Sequence, residues 1–125
     1  MDIALWIVQG LLAFAFAMAG FMKLSQPKEK LVVAQPWTED FSDTQIKGIG
    51  VLEVLAAIGL ILPMLLGILP VLAPLAAVGL VLVMIGAAYT HIRRSEIVPN
   101  VVINLVLMTL ALVVVVGRFL IEPVI

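Results

Sequence analysis

This sequence predicts an all-α integral membrane protein folded as a bundle of four transmembrane helices, and three observations predict it. The chain of 125 residues is 64% hydrophobic and only 12% charged, whereas soluble domains are nearer half apolar and a quarter charged. Four apolar runs are each long enough to approach or cross a hydrocarbon core of about 30 Å. Most charged residues gather in the connections between those runs or near the ends of the runs, and one acid, Glu53, sits near the middle of a run. In water, such a chain would expose apolar patches far larger than a soluble monomer tolerates.

The first helix is expected at about residues 3–22, interrupted only by Gln9. A secretory leader is the rival reading, because A-x-A patterns occur between Ala15 and Ala19. Asp2 stands where a leader carries a basic cluster, the run is long, and three further spans follow, so a retained helix is expected. Gly10, Ala13, Ala17 and Gly20 form a stripe of small residues suited to close helix packing.

Residues 23–45 form the longest polar connection, marked by Lys28, Glu29 and Lys30 and punctuated by Pro27 and Pro36. Leu31 to Ala34, followed by Trp37 and Phe41, reads as a short segment at the membrane surface, where Trp is favoured. It is either a lid over the bundle or a linker lying on the membrane.

The second helix is expected at about 46–62, ending at Pro63. An acid near the centre of such a helix costs roughly 2.5–3.5 kcal/mol on insertion scales, and about ten large aliphatic residues at roughly 0.3–0.6 kcal/mol each offset it. The face of Glu53 holds Ile46, Ile49, Gly50, Ala56, Ala57 and Leu60. Small neighbours on that face turn the acid into a helix bundle rather than toward lipid.

Pro63 to Pro70 carries no charge and reads as a short hairpin. The third helix follows at about 71–90, with Pro74 in its first turn. His91, Arg93, Arg94 and Glu96 lie in the next connection, residues 91–98. The fourth helix is expected at about 99–120, with Pro99 in its first turn and Asn100, Asn104, Ala111 and Arg118 close to one face.

Basic residues set the expected topology. Lys23, Lys28, Lys30, Lys47, Arg93 and Arg94 fall on one side of the four spans, and only Arg118 and the α-amino group on the other. The positive-inside rule places both charged connections in the cytoplasm and both termini outside. From that boundary, the helical rise puts Glu53 about 10 Å deep, Asn104 about 7–8 Å and Gln9 about 20 Å. Lys23, Lys47, His91 and Asn100 gather near the rim, with Tyr89 and Thr90 within a turn of it.

This polar cluster is the candidate site: Glu53, Lys23, His91, Asn104, Lys47 and Tyr89. An intramembrane carboxylate marks a functional site by default. It could line a pocket for a lipid or quinone, or relay a proton. It could also serve structure alone, fixing helix register by hydrogen bonds to Asn104, Tyr89 or Thr90. Arg93 and Arg94 are expected to anchor topology and meet anionic lipid heads, and Arg118 to snorkel to the far interface. The absence of cysteine rules out disulfides, thiolate catalysis, iron–sulfur clusters and zinc–thiolate sites. The single histidine excludes bis-histidine haem ligation within one chain, and one His with one Glu makes no metal site. The near-neutral charge of −1 offers nothing to nucleic acid.

The residues also carry a resemblance. AGFMKL at Ala19 to Leu24, IGVLEVLAAIGLILP at Ile49 to Pro63, the A-x-x-H-x-R-R-x-E pattern from Ala88 to Glu96, and VVGRF at Val115 to Phe119 together resemble the DoxX-like family of small bacterial four-helix membrane proteins. The resemblance implies a single domain over residues 1–125 in a bacterial inner membrane, with Lys23, Glu53 and His91 as the recurrent polar positions. It associates the chain with membrane redox complexes, where a thiosulfate:quinone oxidoreductase subunit gave the family its name. Distant relatives act as membrane-protein assembly chaperones. The expected role is an accessory or anchor subunit, or a binder of a small lipophilic ligand around Glu53, without catalytic chemistry of its own. A quinone-interacting subunit and a small transporter are the alternatives. Expected partners are membrane lipids, a membrane redox or other membrane protein, and a second copy of the chain; quinone is the one cofactor considered.

Overall fold

The computed structural model describes residues 2–124, and these form helices with no strand among the described residues. Helix α1 spans Asp2–Ser25, α2 Lys28–Ala34, α3 Asp43–Leu66, α4 Leu72–Arg93 and α5 Val102–Val116. A 3-10 turn, Pro36–Asp40, follows α2. Helical turns at either end of α5 complete a fourth long span, Ile97–Ile121. Four helices are thus long and apolar enough to cross a membrane. Helix α1 packs on α3, α3 on α4, α4 on α5, and α5 back on α1, which closes the bundle.

Helix α1 shows how the sequence builds this arrangement. Its buried residues are Leu5, Gln9, Leu12, Phe16, Gly20 and Lys23. Ile7, Leu11, Phe14, Met18 and Phe21 form an equally apolar exposed stripe at the same spacing. Both faces are greasy because one meets protein and the other meets hydrocarbon, so helix faces here are distinguished by residue size and polarity rather than by apolarity. The core gathers Leu12, Phe16, Ala57, Leu60, Ala77, Leu80, Met84, Ala111 and Val114.

The observed helices are longer than expected. Helix α3 starts at Asp43 instead of 46 because Ser42 and Gln45 form a capping box: Ser42 Oγ accepts from Gln45 N–H at 3.1 Å and Gln45 Oε1 accepts from Ser42 N–H at 2.9 Å. It also runs through Pro63 to Leu66. Pro63 lies near the end, and the helix stops where Gly67 takes a left-handed conformation at φ 69° and donates to Pro63 O. At the start of the fourth span Val98 is extended, as a residue before proline tends to be, and regular winding follows Pro99.

Helices α1 and α3 approach most closely at Gly20 and Gly50. A Cβ on Gly20 would lie 2.7 Å from Gly50 O, and one on Gly50 would lie 3.0 Å from both Gly20 O and Lys23 Cβ. Lys23 lies one turn beyond Gly20, and Glu53 one turn beyond Gly50 on the antiparallel partner. The glycine crossing therefore lets the Lys23 stem run along α3.

Candidate functional site: a polar cavity at the loop end

That crossing brings Lys23 Nζ to 2.8 Å from Glu53 Oε1, with side chains 6% and 4% exposed. The ammonium lies off the hydrogen-bonding directions of the carboxylate. Glu53 Oε1 therefore has a charge contact but no well-directed hydrogen bond among the described residues. The pair borders a cavity of about 650 Å³, within the roughly 300–1,000 Å³ of small-molecule sites. Each of the four long spans contributes to its wall: α1 through Ala15, Phe16 and Ala19, α3 through Ile49 and Leu52, α4 through Met84 and His91, and the fourth span through Asn100, Asn104 and Leu107. Asn104 is 8% exposed, and its Nδ2 has no hydrogen-bond partner among the described residues.

The connection between α1 and α3 roofs the cavity. Trp37 and Phe41 line it and meet edge to face at 5.5 Å. Trp37 also meets the His91 ring at 6.1 Å, and Lys23 Nζ stands 5.6 Å from a Trp37 ring centre. Buried Leu31 and Thr38 seat the segment, and Thr38 Oγ1 donates to Gln35 O at 2.8 Å.

Arg94 fastens the roof from outside. Its guanidinium reaches Glu96 and Asp40 at 3.0 Å and Glu39 at 3.1 Å. These acceptors hold it above the ordinary arginine pKa, so it stays charged. Glu96 also holds His91 Nδ1 at 2.8 Å. The hydrogen bond with His91 is the largest influence on the Glu96 carboxyl; with the help of Arg94 it outweighs the opposing effect of burial and pulls the group below its ordinary range.

The structure thus brings Lys23, Glu53, His91 and Asn104 to one cavity, and pairs Glu53 with Lys23 while His91 engages Glu96. Two other candidates lie elsewhere. Lys47 Nζ donates to the carbonyls of Lys23 and, at 2.7 Å, Gln26, so it caps the C-terminal end of α1 where a cation is favoured. Tyr89 is 62% exposed, with Arg93 5.8 Å from its ring. Two positions before inward-facing His91, the helical turn of about 100° per residue carries Tyr89 to the opposite side. Arg93 is exposed, whereas Arg94, expected among lipid heads, is spent on three carboxylates of the protein.

Arg118 corrects a further expectation. It does not snorkel: it is 2% exposed, and its Nε donates to Gln9 Oε1 at 2.7 Å and its Nη1 to Asp2 Oδ1 at 2.6 Å. Gln9 Nε2 in turn donates to Leu60 O at 2.6 Å. The signal was present in the sequence, since intramembrane polar groups on facing helices seek each other. The roof residues Trp37 and Phe41 and the fastener Glu96 were not among the site candidates, because their placement depends on how the connections fold back.

Among the described residues no three His, Asp or Glu side chains converge as a metal site would need. No curated protein and no solved structure matches the chain. The sequence model of the DoxX-like family matches residues 7–114, which takes in most of each of the four long helices and the roof between the first two. The match covers most of the chain, and this multi-pass membrane protein belongs to the DoxX-like family.

Proposed function

We propose that the protein is an accessory membrane subunit that holds a small lipophilic molecule, such as a lipid or quinone, in the cavity beneath Trp37. One observation carries this reading. A cavity of about 650 Å³ is walled by apolar side chains and contains a few convergent polar groups, two of them under-satisfied. That is the general form of a small-molecule site. A pair kept only for helix register would be expected to be packed around and fully hydrogen-bonded. The polar groups of this cavity sit at one end of the bundle, which favours holding over transport, since a transport path needs access from both sides.

The basic residues support placing the roofed end on the cytoplasmic side of the inner membrane, with both termini outside. The chain has no cysteine, so single cysteines at Ser25 and Leu69 can be labelled independently with a membrane-impermeant reagent. Label reaching Ser25→Cys in intact cells would reverse this orientation.

The ligand reading is tested in native-lipid nanodiscs by mass spectrometry of wild type and Glu53→Gln. A lipid or quinone retained by wild type and lost in the folded variant is the expected result. Equal and empty preparations of both would refute it. A copurifying protein lost with the variant would shift the reading toward an assembly partner.

A further inference from the structure

The geometry points to a ligand with a neutral head that carries both a hydrogen-bond donor and a carbonyl-type acceptor, on a chain that lies in the membrane. This assignment rests on the cavity being a ligand site and concerns which chemistry it selects. Charge is the first constraint. Every charged group facing the cavity already has an opposite partner: Lys23 has Glu53, and His91, when protonated, has Glu96. An anionic head would compete with Glu53 for Lys23, and a cationic head with Lys23 for Glu53. Either would strand a buried charge in a low-dielectric site.

The unpaired atoms are the second constraint. Asn104 Nδ2 is a donor with no partner among the described residues, on a side chain 8% exposed. It calls for an acceptor, and a carbonyl oxygen supplies one without charge. Glu53 Oε1 is buried and, with Lys23 approaching it off axis, receives no well-directed hydrogen bond among the described residues, so it calls for a donor such as a hydroxyl. Both atoms belong to residues lining one cavity.

The route for the chain is the third. At the far end, α1 and the helical turn that follows α5 are pinned together by Arg118 on Gln9 and by Leu5 against Gly117. At the loop end, the cavity lies between Ala15 and Ala19 of α1 and Ile103 and Leu107 of α5. Ile103 is 50% exposed, so the apolar wall continues onto the lipid-facing surface of the bundle.

The test uses brominated oleoyl probes that quench Trp37, in full-length Trp6→Phe protein in nanodiscs, so that Trp37 is the one remaining tryptophan. The probes are monooleoylglycerol, which is neutral with an ester carbonyl and hydroxyls, an oleyl sulfonate and an oleyl trimethylammonium. Saturable quenching by the first alone is expected. Asn104→Leu removes one neutral hydrogen bond and should raise the midpoint roughly tenfold, while its thermal midpoint does not fall, since it deletes an unpaired buried amide. Asn104→Gln, which keeps the amide, should retain saturable binding. Charged probes binding as well, or Asn104→Leu binding unchanged, would overturn the head assignment and leave the cavity a lipophilic site. If no probe quenches saturably, the ligand reading itself fails, and this assignment with it.

Discussion

The two ends of the bundle both bury a cation, and they use it differently. At the far end, Arg118 donates to Gln9 and Asp2, Gln9 continues to a backbone carbonyl of α3, and Leu5 packs directly on Gly117. At the loop end, Lys23 makes one off-axis contact with Glu53 beside a cavity, and Asn104 Nδ2 is left without a partner among the described residues. A planar guanidinium with several donors can hold two side chains of a neighbouring helix at once, as Arg118 holds Gln9 and Asp2 of α1; a flexible ammonium is a point charge that leaves its partner open to others. The lesson is that a buried charge inside apolar helices does not by itself mark a site. Both ends leave a buried polar atom without a hydrogen-bond partner among the described residues, Arg118 Nη2 at one and Asn104 Nδ2 at the other, so the arrangement worth testing is the one with a cavity beside it.

Substitutions should separate the two ends, and the largest effect is expected at the Lys23–Glu53 pair. Lys23→Met leaves Glu53 buried and unpaired, at a cost of about 3–5 kcal/mol. Adding Glu53→Leu should recover most of that stability without restoring ligand retention. Thermal unfolding in detergent, beside mass spectrometry of retained lipid, reads both quantities. A double variant no more stable than the single one would show that the charges are not coupled.

Next comes the far end. Arg118→Met strands Gln9 Oε1 and should cost about 1–3 kcal/mol, with retention at the loop end unchanged. Loss of ligand in a folded Arg118→Met protein would break the contrast between the ends. A comparable destabilisation is expected at the α1–α3 crossing. Gly20→Ala drives a Cβ into Gly50 O and Val54, and overpacking of this kind costs about 1–3 kcal/mol. Here retention should fall too, because the crossing aligns Lys23 with Glu53. Gly10→Ala meets nothing within 4 Å and serves as the control.

The smallest effect concerns the roof. The Glu96 carboxyl is held below its unfolded value of about 4.5, chiefly by His91. Its contribution is complete above that value and is lost as pH falls through the depressed one. Trp37 fluorescence in Trp6→Phe protein should report a loosened roof only in that acidic window. The change should vanish in Glu96→Gln. A transition persisting in that variant would assign the pH response to another group.

Much of the architecture was legible in the chain, because a lipid solvent imposes simple requirements. Helices must be long and apolar, and polar side chains must turn inward. Those rules point to four spans, to the inward face of Glu53, and to Lys23, His91 and Asn104 as its neighbours in depth. The helix ends were less legible. Ser42 and Gln45 extend α3 by reciprocal capping, and Pro63 is absorbed before Gly67 stops the helix. Lys47 and Tyr89 have the right depth for the site, but depth along a helix does not specify angle around it.

Residue order alone thus settles the solvent this protein requires, the number of its long apolar helices, and the end at which most of its basic residues lie. Composition and period are local properties, and they act before any helix meets another. Which charge pairs with which depends on how the helices pack. Lys23 reaches Glu53 because Gly20 and Gly50 let two backbones approach, and His91 turns to Glu96 because the connection folds back. Arg118 finds Gln9 across more than a hundred residues of chain. Such partnerships depend on rotation and separation between helices, which packing sets and helical period leaves open.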